Sequence, residues 1–347
     1  PLTIRSGLEP IFGKFMSGGL GNITDIVSIL ATLVGLGVTI GYGVSQFSSG
    51  LFNITGIEWL IDNEGRPSLT GQVFGLVLIM TISCVSAFTG IRKGIKWLSN
   101  INMGLSLLLL LFFVFFGATL FALKNFLVTI WDYVISFPEM AISVWKNDGT
   151  EVSLNLQKWQ SAWSIFYWAW WIAFAPFVGL FLARVSRGRT IREYIMGAIF
   201  IPSLISLFWF SFVGGTAIDL ELSGVAQGAI VNADISAQLF QTINLFMNPT
   251  MAVSLSVLVV ILLITFLVTS ADSGILVMNT LASGGNTKKR ELKHIILWGL
   301  LFSVMIAVLL MAGGMDSLRS VMIIGALPFS LILALMPVAL VKTILQK

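Results

Sequence analysis

The chain has 347 residues, 56% of them apolar or aromatic, only 10% charged, and a net charge of +4, against roughly 25% charged in a soluble domain. So few ionisable side chains cannot cover a water-facing surface, whereas lipid makes the opposite demand, which excludes a water-soluble globular enzyme. One cysteine (Cys84) and one histidine (His294) leave a disulfide framework, a Cys/His zinc site and a Cys–His nucleophile without support. The sequence therefore reads as an all-α polytopic membrane protein.

A span needs about 20 mostly apolar residues. The first strongly apolar run begins after about two dozen residues with no cleavage site before it, so no signal peptide is read. That run, 24–46, carries Gly35, Gly37, Gly41 and Gly43 with Thr32 and Thr39, a small-residue pattern that favours close helix packing. The second, 70–91, holds Cys84, read as a small buried apolar residue. The third, 100–123, has no charge from Met103 to Leu123. After it, the polar connection 129–160 reads as an interfacial connecting helix, with a re-entrant segment as the alternative.

The fourth run, 163–184, is the most informative. Trp163, Tyr167, Trp170, Trp171 and Phe174 follow i, i+4, i+7, i+8 and i+11 and are expected on one helical face. Such π-faces hold an onium group at roughly 0.5–2 kcal/mol per ring. An interfacial aromatic belt is the alternative, and spacing alone leaves both open. The fifth run, 193–214, precedes a polar connection, 215–247, with amphipathic stretches. The sixth, 249–270, ends in Thr269, Ser270, Asp272, Ser273 and Gly274. Hydroxyl and carbonyl oxygens suit a hard monovalent cation, and an intramembrane carboxylate such as Asp272 is a candidate functional acid; a helix end reaching the interface explains the same residues equally well. Runs at 294–313 and 321–343 complete eight spans. The sequence shows no phosphate loop, GxSxG elbow, paired-His motif, carbonyl filter or ring of like charge.

Fifteen of the twenty Lys and Arg residues fall on alternate connections, including Arg92, Lys93 and Lys96, Arg184 to Arg192, and Lys288 to Lys293. Both termini of the segment are accordingly expected in the cytoplasm. The surplus charge requires no nucleic-acid partner.

The stretch IFYWAWWIAFAPFVGLFLARVSRGRTIREY resembles the signature of the betaine/choline/carnitine transporter family. PLTIRSGLEPIFG, GIRKGIKWLSNIN and VTSADSGILVMNTLASGG agree with it, so the resemblance covers essentially the whole chain. It implies part of a LeuT-type inverted-repeat transporter core in a cell (inner) membrane. Residues 1–128 would be the last three helices of repeat one and 161–347 the five of repeat two, with the family's first four spans preceding the segment. By the same resemblance, Trp170, Trp171 and Phe174 lie on the central substrate helix and Trp163 toward the outer entrance. Phe174 stands where the family has Trp or Tyr. Thr269 and Ser270 match half of a sodium site, the opening helix of repeat one supplying the rest. Thr32 and Phe177 match a second sodium position, at which Leu36 replaces a hydroxyl.

The expected function is secondary active uptake of a small cationic or zwitterionic solute of the choline, glycine betaine or carnitine type, coupled to sodium, by alternating access, with no other cofactor. Membrane lipid and a homotrimeric assembly are the other expected partners. Alternatives are a sodium-independent exchanger, a proton-coupled importer of the same solutes, and a non-transporting membrane sensor. The segment alone is expected to transport nothing.

Overall fold

The computed structural model describes residues 2–89, 92–285 and 292–346; Lys288, Lys289 and Arg290, and the side chains of Arg92, Lys93 and Lys96, lie outside the described residues. Every regular element among those residues is helical, as a chain that must satisfy its backbone in lipid requires. Besides short 3-10 turns at Gly13–Ser17 and Glu58–Leu60, these are, in chain order, α1 (Ile4–Phe12), α2 (Gly19–Thr55), α3 (Leu69–Thr89), α4 (Arg92–Phe116), α5 (Thr119–Ile142), α6 (Glu151–Val185), α7 (Ile191–Leu222), α8 (Gln238–Phe246), α9 (Pro249–Ala282) and α10 (Leu292–Leu345).

Local chemistry sets the ends. Gly56, at φ 68°, closes α2 by donating its N–H to the Phe52 carbonyl at 2.8 Å, the left-handed conformation that glycine adopts without strain. The α7 helix opens on a capping box between Thr190 and Glu193. The Asn248 side chain accepts from the Met251 amide at 3.0 Å, with Pro249 as the first helical residue of α9.

The α2 helix lies at the centre, and its glycines mark where neighbours approach. As α2 rises from Leu36 through Gly43 to Gly50, its partners on α9 fall from Gly274 through Leu267 to Val260, so the two helices are antiparallel. The α6 helix is antiparallel to α2 as well, with Ala173 against Gly35 and Phe166 against Tyr42. A buried core of Leu36, Ile40, Ala173, Phe177, Val268, Ile275, Phe302 and Met322 joins α2, α6, α9 and α10. A second core, with Phe113, Phe212, Phe240 and Leu255, joins α4, α7, α8 and α9. At the start of the chain, α1 buries Ile4 and Leu8 and is tied to α2 by Arg5 Nε and Asp25 Oδ2 at 2.5 Å.

The last two expected spans are one 54-residue element interrupted by non-helical backbone at Gly313 and Gly314. A straight helix of that length would extend about 80 Å, well beyond a hydrocarbon core of about 30 Å. A Cβ on Gly37 would lie 2.8 Å from Met305 and 3.9 Å from Leu318, residues about 20 Å apart in a straight helix. The chain therefore reverses at the two glycines, and both arms pack on α2.

Two boundaries differ from the sequence reading. The third run stops at Phe116 rather than 123, and a new helix starts at Thr119, ten residues before the expected connecting segment. Hydropathy runs straight through the break because the break is steric. Gly117 is hemmed in by the Phe113 carbonyl and the Thr216 hydroxyl, and the Thr119 hydroxyl turns back to the Val114 carbonyl. The 215–247 connection begins as helix, the last two turns of α7, before its turns and α8.

Eight of the helices are long and apolar enough to cross a membrane, α5 among them. With α3 and α4 each crossing once, the antiparallel pairing of α2 and α6 starts α6 on the side where α2 ends. The α5 helix then leaves and returns on that side and adds no crossing, whereas the two arms of α10 supply two.

Candidate functional site

The five aromatic residues of the stripe lie on α6, at and just after a π-helical turn at Ser161–Ile165. They do not form one surface. Trp163 stacks on Tyr167 (6.0 Å, 14°), and Tyr167 meets Trp170 at 5.9 Å. Trp170 turns toward α2, where it stacks on Tyr42 at 5.8 Å and donates its indole N–H to the Gly35 carbonyl (3.2 Å) and the Thr39 hydroxyl (3.3 Å). Trp171 instead meets Phe174 edge-on, and Phe174 meets Phe177. Among the described residues no ring contact joins the two groups. The split falls between Trp170 and Trp171, whose side chains leave the helix about 100° apart. Trp171 is 66% exposed, and Phe174 is half-buried.

The first group lines a cavity of about 230 Å³ together with Tyr42, Phe166 and Arg319. The Arg319 guanidinium carbon lies 5.2 Å from the Tyr42 ring centre and 5.3 Å from that of Phe166. Its Nε donates to the Tyr42 hydroxyl, and Nη1 is 3.6 Å from the Asp316 carboxylate. The guanidinium thus rests against two of the aromatic rings of the cavity. Tyr42, Phe166 and Arg319 were not singled out from the sequence. Tyr42 is the one tyrosine on a helix otherwise read for its glycines, and Arg319 was counted only for membrane orientation.

The hydroxyl residues occupy two levels of the α2–α9 pair. Thr269 and Ser270 are partly buried on α9, and the Thr269 hydroxyl donates to the Thr265 and Phe266 carbonyls at 3.0 Å each. Thr32 is fully buried on α2 and donates to the Ser28 carbonyl at 2.8 Å; Phe177 is buried on α6. With the Thr269 and Thr32 hydroxyl protons turned into their own helices, their oxygen lone pairs are left for an acceptor's role, the polarity a cation requires. By the antiparallel register, Thr32 stands level with Met278, about 12 Å along the axis from Ser270, so the two sets are separate. Leu36 packs its side chain against Gly274, one turn beyond Ser270.

Asp272 is 1% exposed and accepts a hydrogen bond from Ser86 of α3 at 2.8 Å. It therefore sits inside the helix bundle rather than at an exposed helix end. Ser86 is a partner that sequence spacing does not disclose, because it comes from another helix.

The model of the betaine/carnitine/choline family of transporters matches residues 1–347. An uncharacterised transporter of Haemophilus influenzae is 38% identical over 99% of this chain and 49% of its own length. Glycine betaine transporter OpuD of Bacillus subtilis is 36% identical, with 99% and 64% covered. An ectoine/hydroxyectoine transporter of Virgibacillus pantothenticus is 37% identical, with 96% and 62% covered. The chain thus spans about half to two thirds of the length of these relatives.

Proposed function

The chain belongs to the betaine/carnitine/choline transporter family, and from that premise we propose that it is part of a secondary transporter taking up a quaternary ammonium or related compatible solute, coupled to sodium. The observation that carries this reading is the aromatic cavity lined by Tyr42, Trp163, Phe166, Tyr167 and Trp170. A trimethylammonium group cannot donate hydrogen bonds, and ring faces are the surface that holds it. Relatives named for glycine betaine and for ectoine narrow the solute class in the same direction. Trp171 and Phe174 are the second aromatic surface on the same helix and form a further part of the solute path.

Sodium is the proposed co-substrate. Its proposed ligands are the hydroxyl oxygens of Thr269 and Ser270, with Thr32 and Phe177 at the second position. An ion shifts a transporter only by its differential affinity for two states, so these residues act when they meet a second moving part. In this scheme the two inverted repeats divide at the 129–160 connection. The α5 helix lies along the outer interface, both ends of the segment face the cytoplasm of an inner membrane, and the assembly is a homotrimer.

One observation favours a second reading. Leu36 fills the space against Gly274 where the family pattern would place a hydroxyl, which supports a single sodium or a sodium-independent exchanger. Uptake of labelled glycine betaine and choline into proteoliposomes, by the protein from its complete reading frame and with sodium, potassium and proton gradients imposed separately, tests both. Sodium-driven uptake abolished by Ser270→Ala supports coupling at α9. Uptake indifferent to sodium removes the ion assignment and leaves the solute reading standing.

A further inference from the structure

The cavity beside α6 contains something an onium site does not need: a cation of its own. Arg319 is the one cation lining it among the described residues, and it projects from the second arm of α10, five residues after the reversal at Gly314. A bare quaternary amine entering this space would meet like charge. A solute carrying both an onium group and a carboxylate would meet a partner for each end.

We infer that this cavity is a subsite for zwitterionic solutes, in which Arg319 takes the carboxylate while Trp163, Tyr167 and Trp170 face the onium group. The inference rests on the solute-transporter reading above and specifies its substrate. The donor geometry supports it. Arg319 commits Nε to the Tyr42 hydroxyl and Nη1 to Asp316, and Nη2 makes no hydrogen bond among the described residues. Tyr42, accepting from Nε, keeps its own O–H to donate to an incoming oxygen. The indole N–H of Trp170 is already committed to Gly35 and Thr39, so that side chain offers the cavity its ring face rather than a donor.

Asp316 is the resident carboxylate at this guanidinium. It is 90% exposed, its pairing with Arg319 spans 3.6 Å, and Arg319 itself is 32% exposed. Ion pairs as open as this contribute little, so a solute carboxylate that reaches two guanidinium nitrogens from inside the cavity displaces it. Contact with the Tyr42 and Phe166 rings, at 5.2 and 5.3 Å from their centres, keeps the guanidinium at the cavity for that exchange.

The test is binding of glycine betaine and of choline, matched in headgroup and differing in the carboxylate, to the complete protein in nanodiscs by calorimetry. Arg319→Gln is expected to weaken glycine betaine by about ten- to a hundredfold, the range for a charged hydrogen-bonded contact, while choline holds or tightens. Arg319→Lys is expected to recover part of the loss, because it restores charge without the planar fork. Asp316→Asn, which removes the competing carboxylate, is expected to tighten glycine betaine and leave choline unimproved. Equal losses for both solutes in Arg319→Gln, or unchanged glycine betaine affinity, overturn the inference and leave the transporter reading intact. Binding of neither solute to the unaltered protein overturns both.

Discussion

Where α2 meets α9, the contact is made of absences: Gly43 accepts Leu267, Gly50 accepts Val260, and Gly274 accepts Leu36. Where α2 meets the cavity-facing side of α6, the contact is made of large rings, Tyr42 on Trp170 and Phe166, with Trp163 and Tyr167 continuing past the edge of α2. The first surface is complementary to a neighbour already present. The second holds space and exposed π-surface. In a membrane, where apolar area does not separate core from lipid face, side-chain size is the better guide to which surfaces pack closely and which leave space.

Substitutions at the two surfaces, compared with one at a purely structural contact of α2, should separate stability from binding. The largest expected effect is on the buried pair that ties α1 to α2. Asp25→Ala leaves Arg5 unpartnered with its side chain only 25% exposed, and a loss of about 3 kcal/mol is expected. Thermal unfolding in detergent measures it, and Arg5→Met with Asp25→Leu should restore most of it. Next is Gly35→Leu, whose Cβ would lie 3.0 Å from the Ala173 backbone. Overpacking of about 2 kcal/mol is expected, and because the Gly35 carbonyl also accepts from Trp170, solute binding should fall with stability.

Trp170→Phe keeps a ring and removes the donor shared by Gly35 and Thr39. A stability loss of about 1 kcal/mol is expected, with weaker solute binding in the same titration because the indole is no longer fixed. Trp171→Ala is the sharpest separation. The side chain is exposed, so the unfolding midpoint should move by no more than about 0.5 kcal/mol, while uptake falls by the loss of a ring contact. A large drop in midpoint would show that Trp171 packs rather than binds.

The smallest effect is local and lies outside the spans. Hydrogen bonds from Ser153 and Thr150 hold the Asp148 carboxyl at about 2, below its ordinary 3.8. A carboxyl depressed in the folded state favours the 148–153 turn above 3.8 and loses that contribution as pH falls toward 2. Carbon-13 titration of the carboxyl should give the low midpoint, and Ser153→Ala should return it toward 3.8.

Much of the fold was legible because hydropathy reports on lipid directly. What hid was steric or non-local. The Gly117 break carries no charge, and the α10 reversal shows only as two adjacent glycines. Thr119–Ile142 looks like a span by composition, and only the antiparallel contact between α2 and α6 shows that it adds no crossing. In the candidate site, the ring spacing merged two faces of α6 into one stripe. Tyr42, Phe166, Arg319 and Ser86 are invisible to periodicity on α6 and α9 because three come from other helices and Phe166 lies off the chosen stripe.

The reversal at Gly313 and Gly314 also bears on the order of synthesis. Gly37 and Gly41 of α2 are covered by Met305, Met315 and Leu318 of the two α10 arms, some 270 positions later. At roughly 5–20 residues per second of translation, the central helix waits tens of seconds for its last neighbours. Its hydroxyls suit that wait. Thr24, Ser28 and Thr32 each donate to the carbonyl one turn back, so this face demands no water or second helix in the interim. The helix finished early is the helix packed last, and its internal hydrogen bonds let it reside in lipid until the hairpin arrives.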